Sequence, residues 1–231
     1  MRIERCYLTT VPARERLCLR TIEALKVETD WDRWHRVLTV QCDATGEISA
    51  LRQRENARAA LERAVADGPE LFLLLEDDLE FNRQFFANIE AWTPVRAHLP
   101  GVPLLATLCN FGFAPMLRLT FPDRFCTDPF TTHGSQCILL SHGLAEYLLR
   151  HWGDRDEVHS DLQIYRLAAG VTPLFVHRPS LVQHVGWASL CDSPMHQAVD
   201  FDAEWKAEDQ RSGVSSQGSA GTGGTERGAE E

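Results

Sequence analysis

Leu71-Phe72-Leu73-Leu74-Leu75-Glu76-Asp77-Asp78-Leu79-Glu80-Phe81-Asn82 joins an apolar run directly to an acidic one. Five apolar residues run without a polar break and end in three consecutive carboxylates. A Gly68-Pro69 boundary precedes the run, so it reads as a short strand buried on both faces. In open α/β sheets, sites form outside the carboxyl ends of the strands, and Glu76, Asp77 and Asp78 fall at such an end. Three adjacent acids repel one another, and a cation or hydrogen bonds must offset that cost. Hard oxygen ligands of this kind suit Mg²⁺ or Mn²⁺, especially beside substrate phosphates. The competing reading is a solvated acidic turn that opens a helix near Asn82, since acids are favoured in a first helical turn.

Outward from this stretch, strands and helices alternate. Ile3 to Thr10 reads as a first strand, and Val11 to Arg14 as a turn. A helix follows, with Leu17, Ile22 and Leu25 at helical spacing. Arg36 to Gln41 is a second strand that runs into Cys42-Asp43-Ala44-Thr45-Gly46. Ala50 to Ala66 is the clearest helix; Ala57, Leu61, Ala64 and Val65 form its apolar stripe and Gly68 closes it. This order predicts βαβ units and a mainly parallel, Rossmann-like sheet flanked by helices.

The second half is less regular. A short helix is expected around Phe85, Phe86 and Ile89, and strands over Pro103–Cys109, Gln136–Leu140 and Pro173–Val176. Helices are expected over His142–His151 and from Ser160 to about Ala169. Asn110 to Pro129 reads as an irregular hairpin or loop. The aromatics Phe111, Phe113, Phe121, Phe125 and Phe130 read as core or lid rather than as a platform for bases. The domain is expected to span 1–205. Residues 206–231 form a Gly/Ser/Thr/Glu-rich tail with little to bury, expected to be disordered. Gly218 to Gly224 follows no strand and opens no helix, so it is not a phosphate loop.

Of 231 residues, 44% are hydrophobic, which permits a real core. The formal charge of −10 argues against a nucleic-acid or anionic-membrane partner. No apolar run is long enough for a transmembrane segment, and the N-terminus lacks the apolar core of a signal peptide. Seven cysteines without a CxxC pair read as buried thiols of a reducing compartment. A soluble, cytoplasmic protein is expected. HExxH, GxSxG, GxxxxGK[ST] and GxGxxG are all absent, which removes zincins, α/β-hydrolases, P-loop enzymes and dinucleotide folds.

An apolar strand ending in Glu-Asp-Asp resembles the metal-binding DxD-type signature of nucleotide-sugar glycosyltransferases with the GT-A fold. Pro179-Ser180-Leu181-Val182-Gln183-His184-Val185-Gly186, with Ser189 after it, resembles a late segment of some GT-A enzymes similar to the N-acetylglucosaminyltransferase IV group. The resemblance covers roughly residues 3–190 and implies a GT-A-like α/β domain. It implies transfer of a sugar from a nucleotide donor, a UDP sugar, to an unidentified acceptor hydroxyl with Mn²⁺ or Mg²⁺. Carried over, Asp78 and His184 are metal ligands, with Glu76 and Asp77 supporting at the donor. Asp161 is the general base of an inverting reaction, with Glu157 and Asp156 as rivals. Ser160 or Asp161 as a plain helix N-cap is the alternative. Thr9, Thr10 and Arg14 are placed at the nucleotide, Asp43 and Asn56 at the base, and Gly134 and Ser135 at a turn approaching the sugar. Two other functions stay open: a nucleotidyltransferase-like metal enzyme, and a transferase-like nucleotide-binding protein without turnover.

Overall fold

A computed structural model describes residues 1–33, 35–45, 47, 49–110, 126–131, 134–185 and 197–207. Gly46, Gly186, Ser189, the tail from residue 208 and four of the five aromatics (Phe111, Phe113, Phe121, Phe125) lie outside the described residues.

Leu71–Leu75 forms β3, buried along its whole length. Its residues alternate between two cores, as a period of two requires. Leu71, Leu73 and Leu75 enter one cluster and Phe72 and Leu74 the other. β1 (Arg5–Thr10) and β2 (Val37–Cys42) lie beside it, in the order β2-β1-β3, and all three run parallel. On the other side of β3, β7 (Cys137–Ser141) pairs antiparallel, with Leu75 opposite Cys137. β5 (Leu105–Thr107), β8 (Leu174–Val176) and β6 (Cys126–Thr127) complete a seven-stranded sheet. β5 pairs antiparallel to β7 and parallel to β8, and β6 antiparallel to β8. Among these strands only β7 and β6 therefore run against the common direction.

Helices cover both faces. α1 (Glu15–Val27), α3 (Phe85–Ala91) and α4 (Thr93–Arg96) contribute Leu25, Phe85, Phe86, Ile89 and Val95 to one core. α2 (Ala50–Asp67), α5 (His142–Arg150) and α6 (Ser160–Ala168) contribute Leu61, Leu144, Leu148 and Ile164 to the other. α2 starts at Ser49, whose hydroxyl accepts from the Arg52 N–H, and ends at Gly68 with φ 73°. Only glycine adopts that left-handed closure without cost.

The acids do not open a helix directly. After Asp78 the chain forms β4 (Leu79–Phe81), which pairs antiparallel with β9 (Val182–His184) in a separate two-stranded sheet. The segment 197–207 then straps over this pair. Asn82 Nδ2 donates to the Asp202 and Trp205 carbonyls, and Asn88 Nδ2 to that of Trp205. Of the cysteines, 6, 18, 109 and 137 are buried thiols. Among the described residues no helix is long and apolar enough to cross a membrane.

Candidate active site

The ends of β1, β2 and β3 share one edge, because Thr10 pairs with Cys42 and Leu8 with Leu75. The acidic turn leaves β3 at that edge and is pinned from three sides. Thr21 of α1 donates to the Asp77 carbonyl at 2.9 Å and accepts from Leu79 N–H at 3.0 Å. Glu76 N–H donates to the Gln136 carbonyl and Val185 N–H to the Asp78 carbonyl. The pairing of Leu79 with His184 sets the imidazole against the turn.

The carboxylates face distinct surroundings. Asp78 is 1% exposed. Its Oδ2 accepts from Arg14 Nη2 and lies 2.9 Å from His184 Nε2. Its Oδ1 is buried with no hydrogen-bond partner among the described residues. Burial opposes its charge, but His184 and Arg14 outweigh that and hold its pKa below the usual carboxylate range. Burial likewise opposes the His184 charge, and Asp78 more than compensates, so the imidazole is held above its usual value.

Asp77 accepts from Thr10 Oγ1 at 2.6 Å, and Arg14 Nε lies 2.9 Å from its Oδ1 outside hydrogen-bond alignment. Burial dominates there and raises its pKa to about 6. Glu76 accepts from the Ser135 hydroxyl. Burial, then the Asp78 charge, lifts it to about 7. One ligand atom each from Glu76, Asp78 and His184 lies within 4.8 Å of the others.

A cleft with about 410 Å³ of empty space, open to solvent, adjoins the acids. Thr9, Thr10, Val11 and Arg14 line it from β1 and the turn after it, and Ser49, Gln53 and Asn56 from the start of α2. Thr9 Oγ1 donates to the Leu75 carbonyl. Asn56 Nδ2 donates to the carbonyls of Thr10 and Gln41, which fixes the amide's orientation. Its Oδ1 is left as a buried acceptor without a partner among the described residues. Asp43 is taken up locally: Arg52 grips it at 2.8 and 2.6 Å and Thr45 N–H donates to it. The Arg52 hydrogen bonds lower its pKa to about 2.

Asp161 begins α6 and accepts from Gly134 N–H at 2.5 Å. Gly134 has φ 104°, a conformation that favours glycine, and its carbonyl accepts from Tyr165 OH at 2.6 Å. Asp161 is near enough for its charge to contribute to the rise of Glu76. Glu157 is instead paired with Arg166 at 2.5 Å, and Asp156 with Arg54 at 2.8 Å. Thr21, Gln53 and Tyr165 also belong to this site, as the contacts above show. Of these only Tyr165 carries a signal in the sequence, one helical turn after Asp161.

No protein-family model and no curated protein sequence matches the chain. Solved structures do. A glycosyltransferase involved in the glycosylation of the major capsid of PBCV-1 is 12% identical with a TM-score of 0.50, over 81% of this chain and 94% of that one. The A197 protein from STIV is also 12% identical at 0.50, over 89% and 98%. A Drosophila β1,4-galactosyltransferase 7 mutant, in complex with manganese, UDP-Gal and xylobiose, matches at 0.45 and 11% identity, over 80% and 71%. At these identities the likeness is one of fold. The single domain has the GT-A-like α/β fold of glycosyltransferases, with an acidic group at the end of its third strand that could hold a metal ion.

Proposed function

We propose that the protein is a metal-dependent glycosyltransferase that moves a sugar from a uridine diphosphate donor to an acceptor hydroxyl. The observation that carries this reading is the convergence of Glu76, Asp78 and His184 beside a cleft built from the ends of β1 and α2. The donor set fits the ion: two hard carboxylates and an imidazole suit Mn²⁺ or Mg²⁺. The orphaned Asp78 Oδ1 is the kind of buried acceptor that a cation satisfies. When bound, the ion neutralises charge on the departing diphosphate.

The chain's own residues supply the rest. Thr9, Thr10 and Arg14 border the nucleotide cleft. Asn56 Oδ1 accepts the ring N–H of uracil, while Asp43 shapes the cleft through its grip on Arg52. Ser135 holds the Glu76 carboxylate, and Gly134 lets the backbone approach the sugar. Asp161 takes the proton of the acceptor hydroxyl in an inverting displacement, and Glu157, paired with Arg166, supports the helix that carries it. The protein acts in the cytoplasm on a polysaccharide or lipid precursor.

The test is release of uridine diphosphate from a panel of UDP sugars, with Mn²⁺ and with EDTA. Release that EDTA and Asp78→Asn each reduce by about a hundredfold or more supports the reading. Tight nucleotide binding without release from any donor contradicts turnover, and release indifferent to EDTA contradicts metal dependence.

A further inference from the structure

We propose that Arg14 is the resident cation of the acidic turn and that a divalent ion competes with it for the Asp78 carboxylate. The inference rests on the transferase reading and assigns a regulation to the same site. Arg14 ends the short turn after β1, and its side chain is only 16% exposed. It spans both aspartates, bonding Asp78 Oδ2 and lying against Asp77 Oδ1. Asp78 is 1% exposed and Asp77 4%, so charges this deeply buried need a compensating cation. A planar guanidinium carries five N–H donors in a fixed fork, which lets it lie across two carboxylates at once.

The bonding on Asp78 is lopsided. Oδ2 carries both Arg14 and His184, while Oδ1 carries neither. An ion held by Glu76, Asp78 and His184 would share that carboxylate with the guanidinium, and the two cations repel. Oδ1 is open to the ion, and the guanidinium on Oδ2 weakens the ion's binding there until the guanidinium moves off. It already lines the cleft, where a diphosphate offers it a new acceptor. Ion and donor are thereby coupled. Alone, the ion meets the competing Arg14; with the donor present, Arg14 has somewhere to go. Coupling of this kind is reciprocal, so each ligand raises the affinity for the other by the same factor.

The experiment is titration of Mn²⁺ into the full chain, by calorimetry or by the paramagnetic resonance of free Mn²⁺, first alone and then with saturating UDP. Wild type is compared with Arg14→Gln, Arg14→Lys and Asp78→Asn. Arg14→Gln is expected to bind Mn²⁺ alone about tenfold more tightly than wild type, and to gain less from UDP. Arg14→Lys should fall between them, and it keeps the test decisive should the neutral variant fail to fold. Asp78→Asn should abolish the titration, which assigns it to this site. Equal or weaker Mn²⁺ binding by both Arg14 variants overturns the competition and leaves the transferase reading standing. Absence of Mn²⁺ and UDP binding in wild type and variants alike overturns both.

Discussion

Asp161 is the residue on which the proposed chemistry turns after the acids. Its Oδ2 is held by Gly134 N–H and its Oδ1 by its own Leu162 N–H, so the carboxylate is oriented before any acceptor arrives. Asp161→Asn keeps the shape and removes the basicity. It should lower kcat for transfer by about a hundredfold to ten-thousandfold while leaving Mn²⁺-dependent UDP affinity unchanged. An unchanged kcat would make Asp161 a helix cap and nothing more. Several of these residues were legible because their chemistry is local: an apolar run stopped by three acids, and a histidine in a short distinctive segment. Asp43 shows the limit of such reading. Its position at the end of β2 was plain, but its pairing with Arg52 depends on how α2 docks. Asn56 is the converse, an ordinary helical residue whose spare acceptor follows only from the fixed partners of its amide nitrogen.

At the scale of elements, β3 and α2 were readable because burial on both faces, and a capped helix closed by Gly68, leave local signatures. The pairing of β4 with β9 left none. Leu-Glu-Phe and Val-Gln-His are too short to show a period, and their partnership is set by tertiary packing far along the chain. The antiparallel direction of β7 was equally silent, since an apolar pentapeptide carries no direction. Yet β4 and β9 deliver His184 to Asp78. Phe81, 3% exposed and edge-on to Phe85 at 5.1 Å, anchors β4 in the core. Phe81→Ala should cost about 3 kcal/mol in urea denaturation and also weaken Mn²⁺ binding, because β4 loses its fixed position. A stability loss with unaltered Mn²⁺ affinity would show that His184 is placed by something other than this pairing.

For the whole molecule, the buried acids set a dependence on pH. Glu76 rises from 4.5 to about 7 and Asp77 from 3.8 to about 6 on folding. The folded state thus holds protons that the unfolded chain has released, and these two groups make stability fall as pH rises from about 4 to 7. His177 has the opposite sign. Burial presses its pKa from 6.5 to about 4, so its contribution is present above 6.5 and is lost as pH falls toward 4. Glu76→Gln should remove part of the loss between pH 5 and 7, read as a flatter melting temperature against pH. A divalent ion must compete with the protons on Glu76, so the increase in melting temperature on adding Mn²⁺ should be larger at pH 7.5 than at 5.5. An increment independent of pH would argue against Glu76 as a ligand.

In the proposed function an ion sits at the tip of β3, between the acids and the nucleotide cleft. Anomalous scattering at the manganese edge, from crystals grown with UDP and Mn²⁺, tests it directly. One strong peak is expected within coordinating distance of Asp78 and His184, with the diphosphate beside it and the uracil ring against Asn56. A peak elsewhere on the molecule, or a nucleotide bound away from the ends of β1 and β3, would contradict it.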